Sequence, residues 1–116
     1  MVKRDRLDKR RIIKSSRTFN ELFQNVTKST SKYFLLVYRK SDALKFGFTV
    51  SKKIRGAVKR NRAKRRLREL FRLNQDKFPN DKEIIFMAKP GVEHEKFDVL
   101  ATDFLNLAIK LETQKK

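Results

Sequence analysis

The stretch KFGFTVSKKIRGAVKRNRAKRRLRELF, Lys45 to Phe71, joins two hydrophobic periodicities, and the point where one gives way to the other decides the fold. From Lys45 to Ser51 the pattern repeats every second residue. Phe46, Phe48 and Val50 fall on one face and Gly47, Thr49 and Ser51 on the other, as on a strand. One face carries bulky apolar groups for a core. The other carries only small ones and leaves room above the sheet, space for a groove. After Gly56, which supplies a permissive backbone joint, the period lengthens. At 100° per residue Ala63, Leu67, Leu70 and Phe71 fall on one narrow stripe, so AVKRNRAKRRLRELFRLN reads as a helix that turns that stripe to a core.

Charge sets this helix apart. Seven of the twelve residues from Lys59 to Leu70 are Lys or Arg, and from Lys52 to Arg72 eleven cations face a single acid, Glu69. Like charges three or four positions apart repel on a helix surface, so the segment is frustrated alone and relieved when phosphates approach. The cations form two rows. Asn61, Arg65, Arg68 and Arg72 follow one another at helical spacing with Lys64 beside them, while Lys59, Arg62 and Arg66 flank the apolar stripe on the far side. Guanidinium forks suit phosphate oxygens and stack on bases, and an Asn in the same row can hydrogen-bond bases or riboses.

The whole chain supports this reading. A net charge of +18 over 116 residues exceeds what solubility needs, so a polyanion, nucleic acid first, is the expected partner. With 39% hydrophobic residues there is material for one modest core and no room for a second, which predicts a single RNA-binding domain over 1–116. Ten Phe and two Tyr argue for a folded domain over a disordered basic tail. The absence of cysteine excludes disulfides, thiolate nucleophiles and Cys-based zinc sites. No run approaches the ~20 apolar residues of a membrane span, and the N-terminus lacks the apolar centre of a signal peptide, so the expected location is cytoplasmic.

The remaining elements follow from periodicity. Residues 1–14 are a basic N-terminal segment, either a mobile tail or an arm ordered on RNA. SSRTFNELFQNV carries Phe19, Leu22, Phe23 and Val26 on one helical stripe. Polar TKSTSK, Thr27 to Lys32, reads as a loop, and YFLLVYRK as a strand buried on both faces. EIIFMA is a further strand. The last helix, from about Lys96 to Glu112, places Phe97, Leu100, Phe104, Leu107, Ala108 and Leu111 on one stripe. The order is helix, strand, strand, helix, strand, helix, with one more strand left optional ahead of the basic helix. It predicts an α+β fold, an α/β sandwich around a small central mixed sheet.

Catalytic inventories come up short. His94 is the only histidine and sits between Glu93 and Glu95 in a charged turn. Asp42, Asp76, Asp81 and Glu83 make no paired-carboxylate pattern at a strand end, and Gly47, Gly56 and Gly91 make no phosphate-binding loop. No catalytic residue and no protein metal site is expected. A DNA major-groove reader normally puts a supporting helix before its reading helix, whereas a strand precedes this one, so RNA is preferred and DNA is not expected.

At VSKKIRGAVKRNRAKRRLRELF the sequence resembles the protein subunit of bacterial ribonuclease P. The signature is Arg60-Asn61-Arg62, followed by Lys64, Arg65 and Arg68 and preceded by Ser51-Lys52-Lys53. RRIIKSSRTFNELF, YFLLVYRK and EIIFMAKPG match further family segments in order. Two departures stand out. The glycine of Arg55-Gly56-Ala57 is shifted by one residue, and the family often has an aromatic where this chain has Val37, with Tyr38 next door. A one-residue step reverses a strand's face, so which of the two faces the cleft stays open.

The resemblance implies a ribosomal protein S5 domain 2-like topology with a left-handed strand–helix–strand crossover through the basic helix. It also implies an endoribonuclease whose RNA subunit is the catalyst, using magnesium held mainly by RNA to remove the 5′ leader of precursor tRNA, while the isolated protein is not catalytic. Lys52, Lys53, Arg60, Asn61, Arg62, Lys64, Arg65 and Arg68 would contact the catalytic RNA. Phe19, Phe23, Leu35 and Val37 would line a cleft for the single-stranded leader. The rival reading is a structural RNA-binding protein of ribosomal or RNA-chaperone type.

Overall fold

The computed structural model describes residues 27–113. Four strands, β1 (Thr27–Thr30), β2 (Phe34–Lys40), β3 (Lys45–Val50) and β4 (Lys82–Ala88), form one sheet in the order β1-β2-β4-β3. Helix α1 (Ala57–Asn74) lies between β3 and β4 in sequence, and α2 (Phe97–Thr113) follows β4. The sheet is mixed. β2 runs antiparallel to β1 and β4, whereas β3 and β4 are parallel neighbours joined through α1. This is the α+β arrangement expected, with the optional strand present but placed first. The helix read over SSRTFNELFQNV lies outside the described residues.

The polar segment read as a loop is in fact edge strand β1, with register Thr27↔Tyr38 to Thr30↔Leu35. An edge strand pairs on one side only and need not be apolar, and this one turns only Ser29 inward, so four residues leave no alternation to read. Its hairpin tip is tied down from outside the sheet. Asp103 Oδ2 accepts from Ser31 Oγ at 2.6 Å and from the Tyr33 backbone N–H at 2.9 Å, and Lys89 Nζ donates to Thr30 Oγ1 and to the Ser31 carbonyl.

Cross-strand register sorts the sheet into two faces. Phe34, Leu36 and Tyr38 of β2, Phe46, Phe48 and Val50 of β3, and Ile84, Phe86 and Ala88 of β4 point the same way. Against them pack the predicted stripe of α1, Ala63, Leu67, Leu70 and Phe71, and the stripe Leu100, Phe104, Leu107, Ala108 and Leu111 of α2. Phe97 departs from expectation. As the first residue of its helix it stays more than a third exposed, and contact with the sheet begins one turn later at Leu100.

Seven of the ten phenylalanines form one continuous ring cluster, in which Phe71 touches Phe46, Phe48, Phe78 and Phe86 at centroid separations of 4.5–5.8 Å. Phe78 and Phe86 both reach Phe104, which meets Phe34 edge-on at 5.3 Å. Phe78 was not legible as core because it lies in the loop before Pro79, outside any periodic element. A fully buried Phe contributes about 1.5–3 kcal/mol, so this cluster is what lets a chain repelled by its own charge stay folded.

Gly91 closes the turn after β4 at φ 109°. A Cβ there would sit 3.1 Å from the Tyr33 ring, a tight contact that the ring would have to yield to, and the positive φ strains any side chain at this position.

Candidate nucleic-acid interface

Arg, Lys, Leu and Ala dominate α1, and all propagate a helix well, so the segment folds despite its charge once the stripe through Phe71 is buried. Gly56 enters it at φ 92° with no side-chain cap and no acid in the first turn. The far end is better satisfied. Asn74 Nδ2 donates to the Leu70 carbonyl and Gln75 Nε2 to that of Arg72, and Arg72 stands in the last turn where the helix dipole favours a cation.

The outer face carries the predicted row. Asn61, Lys64, Arg65 and Arg68 are exposed and together line a recess of about 290 Å³. Glu69 does not neutralise them. Its carboxylate is gripped by Arg72 through two hydrogen bonds, Nε to Oε1 at 2.9 Å and Nη2 to Oε2 at 2.5 Å, which hold its pKa below the usual carboxylate value. The stretch's one acid is therefore matched with the helix's last arginine. Lys64, Arg65 and Arg68 form no ion pair among the described residues; the Arg68 guanidinium lies over the Phe48 ring, 5.8 Å from its centroid.

Not every cation on α1 faces outward. Arg60 Nη1 donates to the carbonyls of Ser51 and Ile54, both at 2.9 Å, and Arg66 Nη1 donates to those of Val92 at 2.7 Å and Glu95 at 2.5 Å. Both arginines hold loops against the helix. Charge counting could not find this, because a carbonyl-binding guanidinium and a free one look alike in sequence. Lys52, Lys53 and Arg62 are exposed, the lysines at the centre of the Ser51–Ile54 turn.

The second candidate site is the sheet face opposite the helices. Register places Leu35 beside Met87, Val37 beside Ile85 and Arg39 beside Glu83, with Thr49, Gly47 and Lys45 of β3 next in the same three rows. Val37 is therefore on this face, where it is fully buried, and Tyr38 is in the core under the helices. The strip is apolar in its middle, with Lys28 exposed at one edge and Lys45 at the other. Arg39 Nε donates to Glu83 Oε1 at 2.6 Å. Phe19 and Phe23 lie outside the described residues, so only Leu35 and Val37 of the predicted cleft are brought together here.

Among the described residues no three His, Cys, Asp or Glu side chains gather into a metal-ligand set. Several carboxylates have protein partners. Glu83 holds Arg39, Glu69 holds Arg72, Asp103 holds the β1–β2 tip, and Glu95 accepts from the Tyr33 hydroxyl at 2.6 Å. That last bond raises the Tyr33 pKa and lowers that of Glu95. No described helix is long and apolar enough to cross a membrane.

The model of the family Ribonuclease P matches residues 7–112. The chain belongs to the ribonuclease P protein family. The ribonuclease P protein component of Syntrophus aciditrophicus is 38% identical over 98 residues, covering 83% of this chain and 82% of its own. That of Syntrophomonas wolfei is 36% identical over 107 residues, covering 90% and 89%. The structure of the RNase P protein from Thermotoga maritima superposes with a TM-score of 0.75 at 25% identity, covering 84% of this chain and 94% of that one. The matched residues include the whole of α1 and the turn that leads into it.

Proposed function

We propose that the chain is the protein subunit of a ribonuclease P holoenzyme, binding the catalytic RNA through α1 and the preceding turn, and the 5′ leader of precursor tRNA along the sheet face opposite the helices. The observation that carries this reading is the row Asn61, Lys64, Arg65 and Arg68, cationic, exposed and without an acidic counterpart among the described residues, in a chain of this family. Lys52, Lys53 and Arg62 add further exposed cations, whereas Arg60 is turned to the Ser51 and Ile54 carbonyls. Fixed cations release counterions from an RNA backbone, so affinity for a folded RNA rises steeply as salt falls.

The leader reading rests on the other face. Leu35, Met87 and Thr49 keep part of their surface exposed on this face and suit the flat surfaces of unpaired bases, whereas Val37, Ile85 and Gly47 are buried. Lys28 and Lys45 at its edges suit the phosphates. Phe19 and Phe23 complete the cleft in this proposal. A protein of net charge +18 between two polyanions lowers their repulsion, which tightens substrate binding and widens the range of precursors processed.

Bond cleavage belongs to the RNA in this reading, with magnesium held mainly there, and Glu69, Glu83, Glu95 and Asp103 are engaged in bracing the protein's own structure. Supplied by the RNA, the metal would activate the water that hydrolyses the phosphodiester. The functional unit is one cytoplasmic domain, whose single core joins all the described helices to the sheet.

Reconstitution tests the proposal. The purified chain added to ribonuclease P RNA should stimulate 5′ cleavage of precursor tRNA at low magnesium, and the RNA-free chain should leave precursor tRNA intact. Binding to that RNA without any stimulation would instead support a structural RNA-binding role.

A further inference from the structure

Arg60 belongs to the signature that would touch RNA, yet both hydrogens of its Nη1 are directed at the protein's own backbone. They reach the Ser51 and Ile54 carbonyls, each at 2.9 Å. Those two residues are the ends of a turn, closed by the Ile54 N–H donating to the Ser51 carbonyl at 3.1 Å. Its central residues are Lys52 and Lys53, both exposed. The turn is anchored in three ways. The Ser51 N–H donates to the Ala88 carbonyl at 2.9 Å, the Ile54 side chain is buried, and Arg60 ties both turn carbonyls to the first turns of α1.

The third anchor matters because the joint between turn and helix is otherwise weak. Gly56 has a positive φ, nothing caps the helix with a side chain, and a glycine hinge resists reorientation poorly. Without Arg60 the turn keeps its strand-side anchors but loses its fixed angle to the Asn61–Arg68 row. Two lysines at an undefined angle to that row lose much of their value for a folded RNA, whose phosphates have fixed positions.

The geometry points to Arg60 as a positioning residue: it acts on RNA affinity through the Ser51–Ile54 turn, by holding Lys52 and Lys53 in register with the phosphate-facing row of α1. This rests on the proposal that Lys52 and Lys53 contact the catalytic RNA. It assigns Arg60 a role different from that of Arg65 and Arg68, although all three are signature arginines.

A mutant cycle on the full chain with ribonuclease P RNA tests it. Arg60→Ala and the pair Lys52→Ala/Lys53→Ala should each weaken binding roughly three- to tenfold at moderate salt and lower the salt slope. Combining them should add less than about twofold to the lysine pair alone, because the latch has nothing left to position. In RNA-free protein, amide exchange at Ile54 should accelerate in Arg60→Ala and also in Arg60→Lys, whose charge is retained but whose ammonium lacks the planar fork. Should Arg60→Ala fold poorly, Arg60→Lys carries the cycle. Full additivity, with the slope falling by a further unit in the triple variant, would show that Arg60 meets a phosphate itself and overturn the latch. Unchanged binding in Lys52→Ala/Lys53→Ala would overturn the underlying RNA-contact reading, whatever the exchange data show.

Discussion

Replacing Arg65 and Arg68 together by alanine separates electrostatic RNA binding from every structural role of α1. Both side chains are exposed and neither forms an ion pair among the described residues, so the fold should lose only the Arg68 contact over Phe48, worth about 0.5–1 kcal/mol. RNA binding should lose far more. Each phosphate contact contributes about 0.7–0.9 to the slope of log K against log salt, so removing two lowers it by about 1.4–1.8. If the lines for the two proteins converge near 1 M salt, the variant binds ribonuclease P RNA about 14- to 30-fold more weakly at ~0.15 M. Filter binding or fluorescence anisotropy from ~0.05 to ~0.5 M salt measures this, with a thermal melt as control. Parallel lines, or a loss explained by an equal fall in stability, would falsify the assignment of this row to phosphate contact.

Other outcomes follow from the core and from titration. Phe71→Ala should cost about 3–5 kcal/mol in urea unfolding, since the ring is fully buried against four others; a loss under ~1 kcal/mol would mean the cluster relaxes to fill the space. Gly91→Ala should destabilise by about 1–3 kcal/mol through its positive φ, and an unchanged midpoint would contradict this. The Tyr33–Glu95 bond should give a stability plateau. With the Glu95 pKa lowered from 4.5, its contribution is present above that value and lost as pH falls through the folded pKa; with the Tyr33 pKa raised from 10.0, its contribution is present below that value and lost as pH rises through the folded pKa. The advantage of the unmodified chain over Tyr33→Phe in denaturant melts should therefore be flat near neutral pH and shrink at both extremes, and a pH-independent difference would count against the bond.

Legibility in the sequence followed the strength of each repeating pattern. The stripe Ala63, Leu67, Leu70 and Phe71 could be read in advance because four core positions over nine residues repeat with the helical period, and Phe46, Phe48 and Val50 because a strand face repeats every second residue. Thr27–Thr30 and Phe78 were missed for the opposite reason: an edge strand of four polar residues and a loop phenylalanine carry no period, and their places depend on what packs beside them.

The amino-acid order alone determined the family signature, the excess of cations, the lack of thiols and the apolar stripes, since each depends on composition or on spacing along one element. Only the tertiary structure decided which cations look outward. Arg60 and Arg66 turn to backbone carbonyls of loops that other elements bring near, Arg72 turns to Glu69, and Arg65 and Arg68 stay on the open face. It also decided that Val37 shares a face with Gly47 and Ile85, because a strand's register against its neighbours is a property of the sheet, not of the strand.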